Sequence, residues 1–203
     1  TTELTWHEET LSLPYFLLRT NHSTLQGHLH TVGYDTHGAA IDGDVDLHLG
    51  YADVILLTEW LGGLPHELLP LYPTETLNAY IALDGTMKQL QLTQCSITLP
   101  TAFDIDMKGM VQDIITPQQC AAQIHVEAHT HDLALLTPLM SEAAIRIPSD
   151  ITYRGDIRYT PDTLHAQCSL FFKEGMADVE AGYNHTSGNY ELRIETDSLD
   201  LQQ

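Results

Sequence analysis

The chain has 203 residues, which is long enough for one domain or two small ones with a substantial core. It carries 28 Asp and Glu against 8 Lys and Arg, a formal net charge of −20. Such a surface lacks the basic footprint that a phosphate backbone or anionic lipid headgroups require, so nucleic acid is excluded as a partner and a polybasic grip on a membrane as a mechanism.

Two short strands are predicted first, around Leu11-Ser-Leu13 and Pro14-Tyr-Phe-Leu-Leu18, with Pro14 forcing a break or an edge position. Leu25 to Leu29 reads as a strand and Gly33 to Gly38 as a turn. Ile41 to Leu49 has the cleanest alternation. Ile41, Val45, Leu47 and Leu49 share one face, and Asp42, Asp44, Asp46 and His48 the other. Leu47 stands where a calcium loop of the EF-hand type needs Gly, so the Asp series is not read as a calcium site.

Residues 51–62 have the spacing of a short helix, with Val54, Leu57 and Leu61 on one stripe and Gly62-Gly63 as a stop. His66 to Pro70 adds at most one further turn. Strands are predicted from Ala79, Gln89, Cys95 and Phe103 onward. Parity slips between Met87 and Leu90, and between Leu92 and Cys95, and each slip requires a turn or a bulge. Ile124, Val126 and Ala128 alternate with His125, Glu127 and His129. Thr130 to Met140 reads as a second short helix. Alternating strands come next, from Ile151, Leu164, Ala177 and Tyr190, with an Asn- and Gly-rich turn at 184–189.

Two stretches are alike. The helical segment at 51–62 and its succeeding strands are echoed by Thr130 to Met140 and the strands from Ile151 onward, and Gln-Cys-Ser recurs at Cys95 and at Cys168. We read a degenerate β repeat with approximate units 1–50, 51–129 and 130–196, and a further unit opening at 197–203. The chain starts at Thr1 and stops in mid-pattern, so it is expected to be an internal segment of a longer protein. There is no βαβ rhythm. The fold class expected is all-β: an elongated, curved antiparallel sheet, groove-like, with two short helices.

The three cysteines, Cys95, Cys120 and Cys168, form no complete disulfide framework, and Cys95 and Cys168 fall on the apolar parity as small hydrophobes. His125, Glu127, His129 and His131 share a parity, but i, i+2 residues on a strand sit well apart and a wet face is where His belongs. No metal and no cofactor is expected. No G-x-S-x-G, P-loop or G-x-G-x-x-G motif is present, so no catalytic residue is assigned and the chain is not read as an enzyme.

The order and texture of several segments resemble the AsmA-like superfamily, and within it TamB-type (translocation and assembly module) proteins of the Gram-negative envelope. The segments are the Thr10-Leu-Ser-Leu…Ser23-Thr-Leu-Gln-Gly27 opening, the Ile147-Pro-Ser-Asp-Ile151…Gly155 start of a β unit, and Glu174-Gly-Met-Ala-Asp-Val-Glu-Ala-Gly-Tyr-Asn184 with Tyr190 to Leu201. The resemblance implies a β-taco across the periplasm, with the full-length protein anchored in the inner membrane. It implies phospholipid transport in an apolar groove, or assembly and translocation of outer-membrane proteins with an outer-membrane barrel partner. Lipid acyl chains would be the ligand, and a short segment is expected to self-associate through exposed apolar surface.

Groove-lining candidates are Val45, Leu47, Phe103, Ile105, Ile157, Tyr159, Leu192 and Ile194. The alternative is a closed β-sandwich binding module of a secreted or cell-surface protein. There the same residues would be dry core and loops would bind the ligand.

Overall fold

The computed structural model describes residues 5–7, 9–33, 38–60, 75–132, 150–173 and 175–197, with the backbone alone at 6, 7 and 57–60. The first strands are β1 (Thr5–His7), β2 (Thr10–Arg19), β3 (Thr24–Val32) and β4 (Ala40–Leu49). Helix α1 (Tyr51–Trp60) comes after them. Then come β5 (Leu77–Thr86), β6 (Gln89–Leu99), β7 (Phe103–Gln112) and β8 (Ala121–Thr130). The last four are β9 (Ile151–Tyr159), β10 (Thr163–Phe172), β11 (Gly175–Asn184) and β12 (Tyr190–Asp197).

All twelve strands belong to one sheet in which spatial order equals chain order. Every neighbouring pair is antiparallel. β1 and β12 are its two edges, so the sheet is open and curved rather than closed into a barrel. No second sheet lies over either face among the described residues. The all-β, groove-like architecture expected from the alternation is the one observed.

Local details differ from the expectation in three places. Leu11 to Leu18 is one strand, not two. Pro14 and Tyr15 together oppose His28, a bulge between the Leu13–Leu29 and Phe16–Gly27 pairs that absorbs the missing N–H of Pro14 without ending the strand. Gln89 to Leu99 is likewise one strand. Its parity slip is a bulge at Thr93 and Gln94, which together face Lys108, and the Thr93 hydroxyl donates to the Ala82 carbonyl at 3.0 Å. Thr130, expected to open a helix, instead closes β8. His131 and Asp132 are not helical either, and residues 133–140 of that expected helix and the turn at His66 to Pro70 lie outside the described residues.

The sheet has little conventional core. Leu99 is the single large side chain fully buried among the described residues, and the other buried apolar positions include Ala39, Val54, Leu90, Cys95, Ala102 and Ala177. The cause is the single layer. Side chains pack sideways on their cross-strand neighbours, and no opposing sheet covers their tips. Backbones approach closely at glycines of the apolar face. A Cβ on Gly109 would lie 2.1 Å from the Gln123 carbonyl oxygen, and one on Gly155 would lie 2.4 Å from that of Gln167. Neighbouring backbones close in on that face where a side chain is absent.

Candidate functional site

Directly paired residues of adjacent strands share a face, so the register converts each strand's alternation into rows crossing the sheet. The central row runs Phe16, Gly27, Val45, Ile81, Cys95, Met107, Val126, Gly155, Cys168, Val179 and Ile194, from β2 to β12. A row on one side includes Leu25, Leu47, Ala79, Ile97, Ile105, Ala128, Tyr153 and Leu170. On the other side runs a row with Leu83, Leu92, Ile124, Ile157, Ala166 and Leu192. Beyond it lies one with Leu90, Val111, Ala122, Tyr159, Leu164 and Tyr183.

All eight lining candidates therefore stand on one face. Val45 and Ile194 are in the central row, Leu47 and Ile105 in the second, Ile157 and Leu192 in the third and Tyr159 in the fourth, while Phe103 pairs with Leu99 and Thr130 at the sheet's end. Most are half-buried. Exposure grows towards β12, where Leu192 is 61% and Ile194 58% exposed. Alternation identifies such residues singly. Met107, Val126 and Val179 join them through the register, which has no local signature.

One end of this face has a built mouth. Leu18, Leu25, Leu47, Leu49 and Leu56 line a cavity of about 350 Å³ between β2, β3, β4 and α1, with Thr20, Ser23 and Asp53 at its rim. Asp53 holds the helix to the β2–β3 turn. Its carboxylate accepts from the hydroxyls of Ser23 and Thr20, which keep it below the usual carboxylate range, and the backbone N–H of Gly50 donates to the Ser23 hydroxyl at 3.0 Å. Val54 is buried, whereas Leu56 is 62% exposed above the leucines of the strands. The sequence marked the helix but not its pairing with the β2–β3 turn, which lies some thirty positions upstream.

The opposite face is mostly polar from β3 to β11, interrupted by residues such as Val32, Tyr80, Met110 and Phe171, and is laced with acid–base pairs. His125 Nδ1 is 3.1 Å from Asp156, Arg154 Nε is 2.9 Å from Glu127, and His165 Nε2 is 3.0 Å from Glu180. His28 sits between Asp42 and Asp44. The Asp series of β4 is thus spread along an extended strand, paired with histidines and with Gln26, not wrapped into a calcium loop. Exposed pairs of this kind add little stability individually.

The four residues His125, Glu127, His129 and His131 do not act as one set. The first two belong to the Arg154–Asp156 pairs. His129 and His131 converge, with ring centroids 4.6 Å apart. The expected i, i+2 separation fails here because β8 ends at Thr130 and the chain bends at His131.

Fold and face together define a class: an antiparallel β meander with one wet face and one apolar face that, among the described residues, no second sheet covers. No protein family, curated protein or solved structure matches the chain.

Proposed function

We propose that this chain is a non-enzymatic segment of a TamB- or AsmA-like envelope protein, and that its apolar face is a groove for phospholipid acyl chains. The observation supporting this is the run of apolar rows from β2 to β12 with no layer over them among the described residues. Apolar surface of that extent needs an occupant. An acyl chain gains roughly 0.8 kcal/mol for each CH₂ it buries, so passive transfer requires no catalytic group. Headgroups stay at the hydrated rims. A periplasmic position and an inner-membrane anchor on the full-length protein belong to the same reading.

Lipids extracted from protein purified without detergent and identified by mass spectrometry test it. Stoichiometric phospholipid, lost in Ile105→Asp and Val45→Asp variants that remain folded by circular dichroism, is the expected result. A stable monomer carrying no lipid would overturn the groove and leave a binding module.

A further inference from the structure

The His129–His131 pair is where β7, β8 and β9 meet at one end of the wet face. Asp104 is opposite His129 across β7–β8, and Thr152 is opposite His129 across β8–β9. One step beyond the last β8–β9 pair, Thr130 with Ile151, come His131 and Asp150. A ligand atom from each of His129, His131 and Asp150 lies within 4.8 Å of the others. It is the single group of three or more such side chains found among the described residues.

We propose that His129, His131 and Asp150 bind a zinc-class divalent cation, with water completing the shell. The ligand chemistry selects the ion: two imidazoles and one carboxylate suit zinc and its borderline neighbours, whereas magnesium and calcium take oxygen ligands. Metal-binding histidines are usually oriented by a hydrogen bond from the second ring nitrogen. Both rings have one. His131 Nε2 is 2.8 Å from Asp104, and His129 Nδ1 is 3.0 Å from the Thr152 hydroxyl. Nε2 of His129 and Nδ1 of His131 are the ring nitrogens not used in these bonds. Asp150 adopts a left-handed backbone conformation, φ +59°, just before β9 and is exposed. Asp is among the few residues that tolerate that conformation. The acyl groove lies on the opposite face, so the cation site stands or falls independently of it.

The test is calorimetric titration of the chelator-stripped chain with Zn²⁺ at pH 7.5, on the wild type and on H129Q, H131Q, D150N and D104N. The surface pair of His165 and Glu180 supplies a control, H165Q. The expected result is one tight ion per chain, lost in H129Q and H131Q, weakened in D150N and unchanged in H165Q. D104N, which removes the orienting partner of His131 and a negative charge near His129, is expected to weaken binding by about 10- to 100-fold. Co²⁺ in place of Zn²⁺ should give the visible absorption of a four-coordinate site, absent in H129Q. Several weak, equivalent ions that H165Q reduces as much as H129Q would mean adventitious binding to a histidine-rich acidic surface and would overturn the proposal. Asp150 is exposed, so D150N keeps the test usable if H131Q fails to fold.

Discussion

Cys95 on β6 and Cys168 on β10 stand in one cross-strand row of the apolar face, linked by Met107, Val126 and Gly155. Burial pushes both thiols up, with Asp106 adding to the effect at Cys95. At Cys168 the Tyr153 hydrogen bond opposes burial, and Asp178 adds to it. Thiolate is the reactive form. Alkylation by iodoacetamide at pH 8, read by peptide mass spectrometry, is therefore expected to be slow at both positions compared with a free cysteine. Loading with a fatty acid should slow Cys168 further. Rates equal to those of free cysteine in the unloaded protein would contradict the buried row.

Thr31 is a polar interruption of the same face. It pairs with Leu11 and Ile41, is 9% exposed, and its hydroxyl has no hydrogen-bond partner among the described residues. An unsatisfied buried hydroxyl costs about 1–3 kcal/mol. Thr31→Val keeps the shape and removes the hydroxyl, so urea unfolding should show a gain of about 1 kcal/mol. Thr31→Ser keeps the hydroxyl and loses a methyl, and should lose about 0.8 kcal/mol. A destabilised Thr31→Val would show that the hydroxyl is satisfied after all.

Two glycines on neighbouring parts of the sheet should respond oppositely to a methyl group. A Cβ at Gly155 would meet the Gln167 carbonyl oxygen at 2.4 Å and the Cys168 Cβ at 2.5 Å, while at Gly182 nothing lies within 4 Å. Gly155→Ala should cost about 1–3 kcal/mol through forced backbone movement. Gly182→Ala should be neutral or gain up to about 1 kcal/mol by restricting the unfolded chain. Equal unfolding midpoints for the two variants would mean that the close approach at Gly155 does not shape the sheet.

His28 supplies a pH dependence. The hydrogen bond to Asp42 raises its imidazole above the usual value of 6.5, with Asp44 reinforcing and burial opposing. A raised folded value means the stabilisation is fully present below 6.5 and is lost as pH climbs through the folded midpoint. The His28 ring protons should titrate above 6.5 by NMR, and Asp42→Asn and Asp44→Asn should each lower the midpoint. The stability difference between wild type and His28→Gln should be largest below pH 6.5 and fade above the wild-type midpoint. A titration at or below 6.5 would refute the pairing.

The repeat read from the sequence aligns unevenly in space. Cys95 and Cys168 share a row, as their Gln-Cys-Ser contexts suggest. Gly85 and Gly155, which close the similar triplets Leu83-Asp-Gly85 and Tyr153-Arg-Gly155, do not. Gly85 pairs with Ile41 and Leu90 in the outermost row, while Gly155 is in the central one, where its counterpart on β5 is Ile81. Short motif echoes do not carry register, because a two-residue offset keeps the face and changes the row.

The division of faces was legible in the order of residues alone. A strand's side chains alternate with a period of two whatever its neighbours do, so Ile41 to Leu49 and Ile151 to Tyr159 declared their wet and apolar sides locally. The parity slip at Leu92 likewise announced a turn or a bulge, and the pairing of Gln89 to Leu99 as one strand decided for the bulge. Strand order and register were not legible, because pairing between distant segments sets them, and only they line up Val45 with Ile81 and Val126 with Gly155. The same pairing put all the described strands into one sheet instead of the two of a sandwich. It also brought a ligand atom of Asp150 to within 4.8 Å of one on His131, an approach for which no spacing in the chain gives a sign.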